Sequence, residues 1–366
     1  MAIADTACHI SRMDGFTGKT AGKGGLTYPL GETVPEVGET IEIAPRIHWL
    51  RMPLPFSLKW INLWLIDDGD SWTIVDTGMP MDDTKDAWRK IFDEKLGGKP
   101  VARIIVTHMH PDHIGCAGWL ARKFPDADLW ISRLEYITCR MLVADTGREA
   151  PEAGIEFYRQ AGWDEASLDN YRERFGGFGR AISQLPDAYR RLEDGDELEM
   201  AGKSWRVIVG SGHSPEHACL FSSDLNVLIS GDQILPRISS NVSVFPTEPE
   251  ADPLRDWMES CEKLRREVPE DVLVLPAHNE PFTGAHKRLT HLIDGHETAL
   301  KRLKTRLEEP RRVIDIFPAI FGRKIGPDLL GMATGEALAH LNCLMARGEV
   351  SREADEAGVH LYKLSS

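Results

Sequence analysis

Four polar side chains crowd into six positions directly after an apolar, β-branched run. The run VARIIV, residues 101 to 106, predicts a buried strand. The cluster that follows it consists of His108, His110, Asp112 and His113. Leaving such groups buried and unpaired costs about 1–3 kcal/mol each, and a metal ion removes that cost. Neutral imidazole and carboxylate together suit zinc, iron or manganese, so the chain must fold to present metal ligands at a strand end.

The spacing within this cluster predicts two metal positions. Side chains two residues apart in extended chain point to the same side, so His108 and His110 are expected on one ion. Pro111 redirects the chain, so Asp112 and His113 are expected to face a second ion. Four ligands from so short a loop do not easily converge on a single ion.

Three further ligand-type residues follow apolar runs later in the chain. His213 lies in GSGHSPEH, Asp232 in LISGDQ and His278 in VLPAHNEP. Each comes directly after a strand-like run, at the kind of loop on which α/β proteins build their sites. Each is weak evidence alone, but together with the first cluster they make a set of seven ligands.

This set resembles that of the metallo-β-lactamase superfamily, whose HxHxDH motif is matched by residues 108–113. The resemblance covers about residues 41–300. It implies an α/β fold, the αββα sandwich, in which two packed sheets carry helices on both outer faces. It also implies that His108, His110 and His213 hold a first ion. Asp112, His113 and His278 would hold a second, with Asp232 bridging the two.

Roles can also be considered for four residues near these motifs. Asp76 in VDTG matches a supporting motif of the family and is expected to orient the ligand loop, with a turn-capping role as the alternative. His217 matches a family position that is not a ligand, and a supporting role is predicted for it. Glu216 and Cys116 each replace a common glycine. Cys116 is expected to contribute only packing, and no role is predicted for Glu216.

The resemblance and the ligand types together predict a reaction. Two divalent ions, zinc first and iron or manganese as alternatives, would generate a bridging hydroxide near neutral pH. Asp112 is expected to steer it and to relay a proton. The predicted function is hydrolysis of a small ester, thioester or lactone, with an acyl thioester favoured. The alternatives are a mono-iron persulfide dioxygenase and a phosphodiesterase or endoribonuclease of the same superfamily.

Several other classes are disfavoured by particular residues. True β-lactamases of the superfamily generally lack the bridging aspartate, so Asp232 counts against that activity. Flavodiiron oxidoreductases place a glutamate where Met109 stands and carry a flavin domain. A binding protein that has lost activity is disfavoured by intact ligands at all seven positions.

The chain is predicted to have three parts. They are an N-terminal arm at 1–40, a catalytic domain at 41–309 with a helical insertion at about 133–190, and a C-terminal domain at 310–366. The last part is predicted to be a helix, a turn and a short helix or strand pair. It resembles the winged-helix tail of glyoxalase-II-like hydrolases and of a β-lactamase-like endoribonuclease. The aromatic segment 155–190 is either a lid or a helical pair with its own small core or a dimer contact, and a homodimer is compatible with both.

Charge and cysteine content restrict the partners. The net charge of −14 argues against nucleic acid and favours a small substrate, for which an anionic group is an open alternative. The exception is residues 301–324, with eight Lys and Arg against three acids, which is predicted to be a solvated helix face rather than a seat for an anionic substrate tail. Six scattered cysteines without a CxxC pair indicate reduced thiols. With neither a secretory signal nor an apolar run of roughly 20 residues, a cytoplasmic protein without a membrane partner is expected.

Overall fold

The computed structural model describes residues 20–21, 25–322 and 324–365. Most of the strands in these ranges form two main sheets. A short pair, β1 (Thr20–Ala21) and β2 (Thr27–Tyr28), precedes them. The strands of the larger sheet lie side by side in chain order: β3 (Ile41–Ala44), β4 (Ile47–Pro53), β5 (Trp60–Asp67), β6 (Trp72–Val75), β7 (Val101–Ile105), β8 (Asp128–Ser132) and β9 (Arg190–Leu192). The smaller sheet follows the same rule: β10 (Glu197–Met200), β11 (Lys203–Gly210), β12 (His217–Ser222), β13 (Val227–Gly231) and β14 (Leu273–Pro276).

The helices and a final hairpin complete the architecture. In chain order the described helices are α1 (Asp82–Glu94), α2 (Pro111–Ile114), α3 (Ala117–Lys123), α4 (Arg133–Ala144), α5 (Glu152–Gln160), α6 (Glu165–Arg174), α7 (Pro253–Glu267), α8 (Ala285–Lys304), α9 (Phe317–Ile320) and α10 (Leu330–Ala346). Short 3-10 turns occupy Phe178–Ala181, Val313–Ile316 and Pro327–Leu329. The chain ends in the antiparallel pair β15 (Val350–Ala354) and β16 (His360–Leu364).

Alternation along the strands creates the layers. On β5, Leu63 and Leu65 pack into a core shared with α1 and α3, while Trp64 and Ile66 pack into a second core between the two sheets. The outer face of the smaller sheet forms a third core with α7, α8 and α10, in which Trp257 is fully buried. The order of layers is therefore helix, sheet, sheet, helix, and the predicted αββα sandwich is confirmed.

Parallel pairing brings the ligand-bearing loops to one edge. In the larger sheet β6, β7, β8 and β9 are parallel, and in the smaller sheet β13 and β14 are parallel. Parallel neighbours have their carboxyl ends on the same side of a sheet. The loops after β6, β7, β13 and β14 carry Asp76, the 108–113 cluster, Asp232 and His278 in that order. The metal-ligand types of the sequence therefore meet at this edge.

The helical insertion has its own small core. Ile155, Tyr158 and Leu168 are buried together, with Trp163 packed against them. The Trp163 indole N–H donates to Thr334 Oγ of α10 at 2.9 Å. The insertion therefore has a small core of its own, and one hydrogen bond joins it to the C-terminal helix; whether it also acts as a lid or a dimer contact stays a prediction.

The N-terminal end of the chain differs from the sequence-based expectation, whereas the elements of the C-terminal end agree with it. Residues 25–40 of the predicted arm pack onto the main body, because Leu26, Tyr28 and Leu30 are buried and the backbone of Thr27 is hydrogen-bonded to that of Thr283. The period-two spacing of these apolar residues was the signal for packing. Residues 1–19 and 22–24 of the predicted arm lie outside the described residues. The C-terminal part has the predicted helix, followed by a strand pair, while the domain limits stay a prediction.

The basic segment 301–324 is partly neutralised by acidic partners. Lys304 pairs with Glu349, and Arg312 pairs with Asp315. These pairs favour the interpretation of a solvated surface. The helices in the described ranges are each too short or too polar to cross a bilayer.

Candidate metal centre

The seven predicted ligands converge at the shared edge of the two sheets. Their ligand atoms form three overlapping groups, and within each group these atoms lie within 4.8 Å of one another. The groups are His108, His110 and His213; His108, His113 and Asp232; and Asp112, His113 and His278. His108 and His113 each belong to two groups, so the edge holds one continuous cluster rather than separate sites.

The first group is a triangle of imidazoles. His108 Nε2 lies 2.9 Å from His110 Nδ1, which lies 3.1 Å from His213 Nε2. β7 ends at Ile105, and His110 is still extended, with φ −62° and ψ 146°. The extended backbone explains why the two histidines of the first loop reach the same point.

The second group begins where the backbone changes. Pro111 is the first residue of α2, so Asp112 and His113 lie on a helical turn rather than on the extended backbone that carries His110. His278 Nε2 is 3.3 Å from Asp112 Oδ2, and His113 Nε2 is 3.8 Å from the same oxygen. The proline, which was predicted to redirect the chain, thus marks a change from extended to helical backbone.

Asp232 lies between the groups. Its Oδ2 is 3.4 Å from His213 Nε2, and its Oδ1 is 3.5 Å from both His113 Nε2 and His278 Nε2. One carboxylate oxygen therefore faces each group, the arrangement that a bridging ligand requires.

Backbone carbonyls orient two of the rings. His213 Nδ1–H donates to the Asn241 carbonyl at 2.7 Å, and His278 Nδ1–H donates to the Trp60 carbonyl at 3.0 Å. A carbonyl oxygen only accepts, so the proton of each neutral ring must sit on Nδ1. Nε2 then carries the lone pair and faces the cluster.

Asp76 orients the other side of the cluster. His113 Nδ1–H donates to Asp76 Oδ2 at 2.8 Å, and the Thr107 N–H donates to Asp76 Oδ1 at 2.8 Å. The Thr107 hydroxyl, 2.9 Å from Asp76 Oδ2, donates to it and in turn lies 3.1 Å from His108 Nδ1. Asp76 is therefore placed to support His113 directly and His108 through the Thr107 hydroxyl, and its φ of +60° is one that Asp tolerates.

Two buried atoms test whether the donor set fits a metal. His113 Nε2 and Asp232 Oδ1 are buried and have no hydrogen-bond partner among the described residues. Both face the middle of the cluster, where each would otherwise incur the cost of an unsatisfied polar group. An imidazole and carboxylate set without thiolate suits zinc, iron or manganese, so the residues fit divalent metal ions.

The electrostatics differ between the two groups. Burial, reinforced by neighbouring imidazoles, lowers the pKa of His108 well below its usual range and that of His110 to about 3. Both rings are therefore neutral, the form that ligates a metal. Burial also disfavours charge on His113 and His278, but the facing carboxylates outweigh it and raise the pKa of both. Burial alone would raise the pKa of Asp232, yet the facing histidines lower it well below its usual range.

His217 and Cys116 have structural roles. His217 is fully buried, and its Nε2 accepts the Asp232 N–H at 3.1 Å, which fixes the backbone of the bridging residue. Gly231 is required there, because a Cβ on it would lie 2.5 Å from the His217 ring and its φ is +49°. The Cys116 thiol donates to the Met79 carbonyl at 3.2 Å, and burial raises the pKa of Cys116 to about 12, which fits packing.

Glu216 has a role that the sequence did not predict. Its Oε2 accepts the Leu134 N–H at 2.7 Å, in the first turn of α4. Sequence reasoning also missed Glu135, whose buried carboxylate accepts the backbone N–H groups of Met109 and Glu216. An acid in the first turn of a helix is ordinary, so no local signal distinguished it.

Comparison with known proteins agrees with this geometry. Residues 61–278 match the family model described as metallo-beta-lactamase superfamily, and residues 300–365 match that described as metallo-beta-lactamase-like, C-terminal domain. A beta-lactamase domain protein from Burkholderia ambifaria is 41% identical, with 93% of this chain and 98% of that chain covered and a TM-score of 0.85. A metallo-beta-lactamase family protein from Thermus thermophilus is 26% identical, with 88% and 99% covered and a TM-score of 0.73.

Curated relatives are more distant. An atrochrysone carboxyl ACP thioesterase from Cryptosporiopsis sp. (strain 8999) is 21% identical over 64% of this chain and 54% of its own length. A linear primary-alkylsulfatase from Pseudomonas sp. (strain ATCC 19151) is 24% identical over 61% of this chain and 42% of its own length. The chain thus spans about half the length of such relatives. With its sandwich, its convergent ligand loops and the match over 61–278, the chain belongs to the metallo-β-lactamase superfamily.

Proposed function

We propose that this chain is a dinuclear metal-dependent hydrolase of a small ester, thioester or lactone, with an acyl thioester favoured. The observation that carries the proposal is the position of Asp232, which directs one oxygen to each of two histidine groups. The first ion would be held by His108, His110 and His213, and the second by Asp112, His113 and His278. Zinc is the preferred ion, with iron and manganese as alternatives.

The chain's own residues would do the following in that reaction. Divalent ions at these positions supply an acidified water as nucleophile and polarise the substrate carbonyl. The five histidines hold their Nε2 or Nδ1 lone pairs toward the centre. The Asp112 side chain is 18% exposed, whereas those of His113 and His278 are almost fully buried. Of these three groups, Asp112 is therefore the best placed to pass a proton outward to the leaving group.

The proposed chemistry balances as a hydrolysis. Water oxygen bonds to the acyl carbon, the carbon–sulfur bond breaks and the sulfur leaves with the electron pair. One proton of the water goes to Asp112 and then to the leaving thiolate, giving a carboxylic acid and a thiol. The names of the related acyl carrier protein thioesterases support a thioester over other esters.

A hydrolysis screen tests the proposal. Purified full-length protein, with its metal content measured, is offered acyl-CoA and glutathione thioesters, lactones, β-lactams and a phosphodiester. Thiol release by wild type and its loss in His110→Ala is the expected result. One iron per chain with oxygen uptake on glutathione persulfide would instead indicate the dioxygenase, and a chain that retains no metal would refute both.

A further inference from the structure

The start of α4 makes an unusual contact with two ligand loops. Glu135 is fully buried. Its Oε2 accepts the Met109 N–H at 2.9 Å, and its Oε1 accepts the Glu216 N–H at 2.8 Å. Met109 stands between His108 and His110, and Glu216 is three residues after His213. One carboxylate thus joins the two loops that together supply the first histidine group.

The contact is reciprocated by the second loop. Glu216 Oε2 accepts the Leu134 N–H at 2.7 Å, and the Ser132 hydroxyl donates to the Glu216 carbonyl at 2.7 Å. The first N–H groups of a helix have no partner within the helix, and negative charge is favourable at that end. Glu216 therefore caps α4 while Glu135, on the same helix, holds the loop of Glu216. The two glutamates fix each other's position.

The two joined loops belong to different sheets. The loop with His108 and His110 follows β7 of the larger sheet, and the loop with His213 joins β11 and β12 of the smaller sheet. The ring nitrogens of the group are 2.9 and 3.1 Å apart across this junction. A small change in the separation of the sheets at this edge would therefore open the triangle of ligands.

The chemistry of Glu135 is specific to this task. A carboxylate accepts with both oxygens, whereas an amide has one acceptor oxygen and an NH₂ group that only donates. Each oxygen of Glu135 serves a different backbone N–H. A buried carboxylate is costly for a role that helix packing alone would serve, because the charge loses its hydration.

We propose that Glu135 is a positioning residue that sets the separation of the two loops and hence the metal affinity of the first histidine group, with Glu216 keeping it in register. The inference rests on the proposed function only in that this group binds a metal ion. It requires no particular substrate.

The experiment measures Zn²⁺ affinity of the full chain by competition with a chromophoric chelator, and Co²⁺ absorption as a signature of ligand geometry. E135Q leaves one backbone N–H facing an NH₂ group, and about a 10–100-fold loss of affinity at one site is expected, the range for residues that orient ligands. E270Q is the matched control, because the Glu270 carboxylate also accepts a backbone N–H in the first turn of a helix, that of His286 at 2.7 Å, but precedes β14 and so lies away from the cluster edge. Less than about a threefold change is expected for it.

The outcomes separate the inference from the proposed function. Zinc affinity of E135Q within about threefold of wild type, or an equal loss in E270Q, would overturn the inference while leaving the hydrolase intact. Wild-type protein that binds neither zinc nor iron nor manganese would refute the dinuclear hydrolase itself. Unfolding of the chelator-treated proteins shows whether E135Q is folded. If it is not, E135D, which keeps both oxygens but withdraws them by one methylene, is measured instead with the same loss expected.

Discussion

Replacing Asp76 by Asn changes one acceptor atom at the support of the second histidine group. Asp76 Oδ1 accepts the Thr107 N–H, and Oδ2 accepts His113 Nδ1–H, both at 2.8 Å. Asn has nearly the same shape and tolerates the φ of +60° at this position, so the backbone is retained. The Oδ2 acceptor is lost, and it serves both the His113 Nδ1–H and the Thr107 hydroxyl.

The loss acts on the ligand nitrogen. If the Asn oxygen stays on the Thr107 N–H, its NH₂ faces His113 Nδ1 and favours the tautomer with the proton on Nε2. That nitrogen is the one that faces Asp112 and Asp232. A hydrogen bond to a charged group contributes about 1.5–3 kcal/mol. At about 1.4 kcal/mol per factor of ten, the second ion should bind about 10–100-fold more weakly.

The assay is chelator competition for Zn²⁺, with the number of ions retained per chain as the readout. D68N is the control, because Asp68 lies at the opposite end of β6 and accepts from Thr73 and Arg103 far along the strand from the cluster. D68N should lower the unfolding temperature without changing metal affinity. Wild-type affinity in D76N, or an equal loss in D68N, would refute the reasoning.

Three further changes probe other parts of the molecule. D112N should lower kcat by about 10²–10⁴-fold in a thioester assay while the protein stays folded, and retained turnover would contradict the proton-relay role. The Asn241 side-chain amide donates to Glu336 at 2.9 Å, and the Asn241 backbone carbonyl accepts from His213 of the first histidine group. E336L should therefore weaken zinc binding about tenfold, whereas E336Q, which keeps an acceptor, should not. Burial, with His340 adding to it, lowers the pKa of His296 from 6.5 to about 4. Between these pH values the unfolded state binds more protons than the folded state, so the free energy of unfolding falls as the pH drops from 6.5 to about 4. The loss is about 3 kcal/mol by pH 4, and urea unfolding of H296L should show a correspondingly shallower pH dependence, whereas parallel curves would contradict it.

The parts of the fold that follow local patterns were predictable. In residues 82–96, DDTKDAWRKIFDEKL, the apolar residues recur at helical spacing, a pattern that by itself predicts a helix, and α1 spans Asp82–Glu94. VARIIV predicted the buried strand β7 because it is a short apolar run rich in β-branched residues. The predicted N-terminal arm did not anticipate that residues 25–40 pack onto the main body, since glycine-rich surroundings hid the alternation of Leu26, Tyr28 and Leu30.

In the candidate site, too, the features that follow local patterns were predictable and the others were not. Its ligand types were visible because each stands directly after an apolar run, and Pro111 marked the change of direction between them. The residues that orient them were not visible. Trp60 and Asn241 act through backbone carbonyls, which every residue type possesses, and Glu135 resembles any acid near a helix start.

By itself the sequence determined which side chains reach the cluster, since burial pattern and strand ends are local properties of neighbouring residues. Only the tertiary structure decided how those side chains are held. The His278–Trp60 bond joins positions 218 residues apart, and the Glu216–Glu135 bond joins positions 81 apart. Such pairs depend on how two sheets pack and where their edges meet, and the free energy of that packing comes from the whole core rather than from any local pattern of residues.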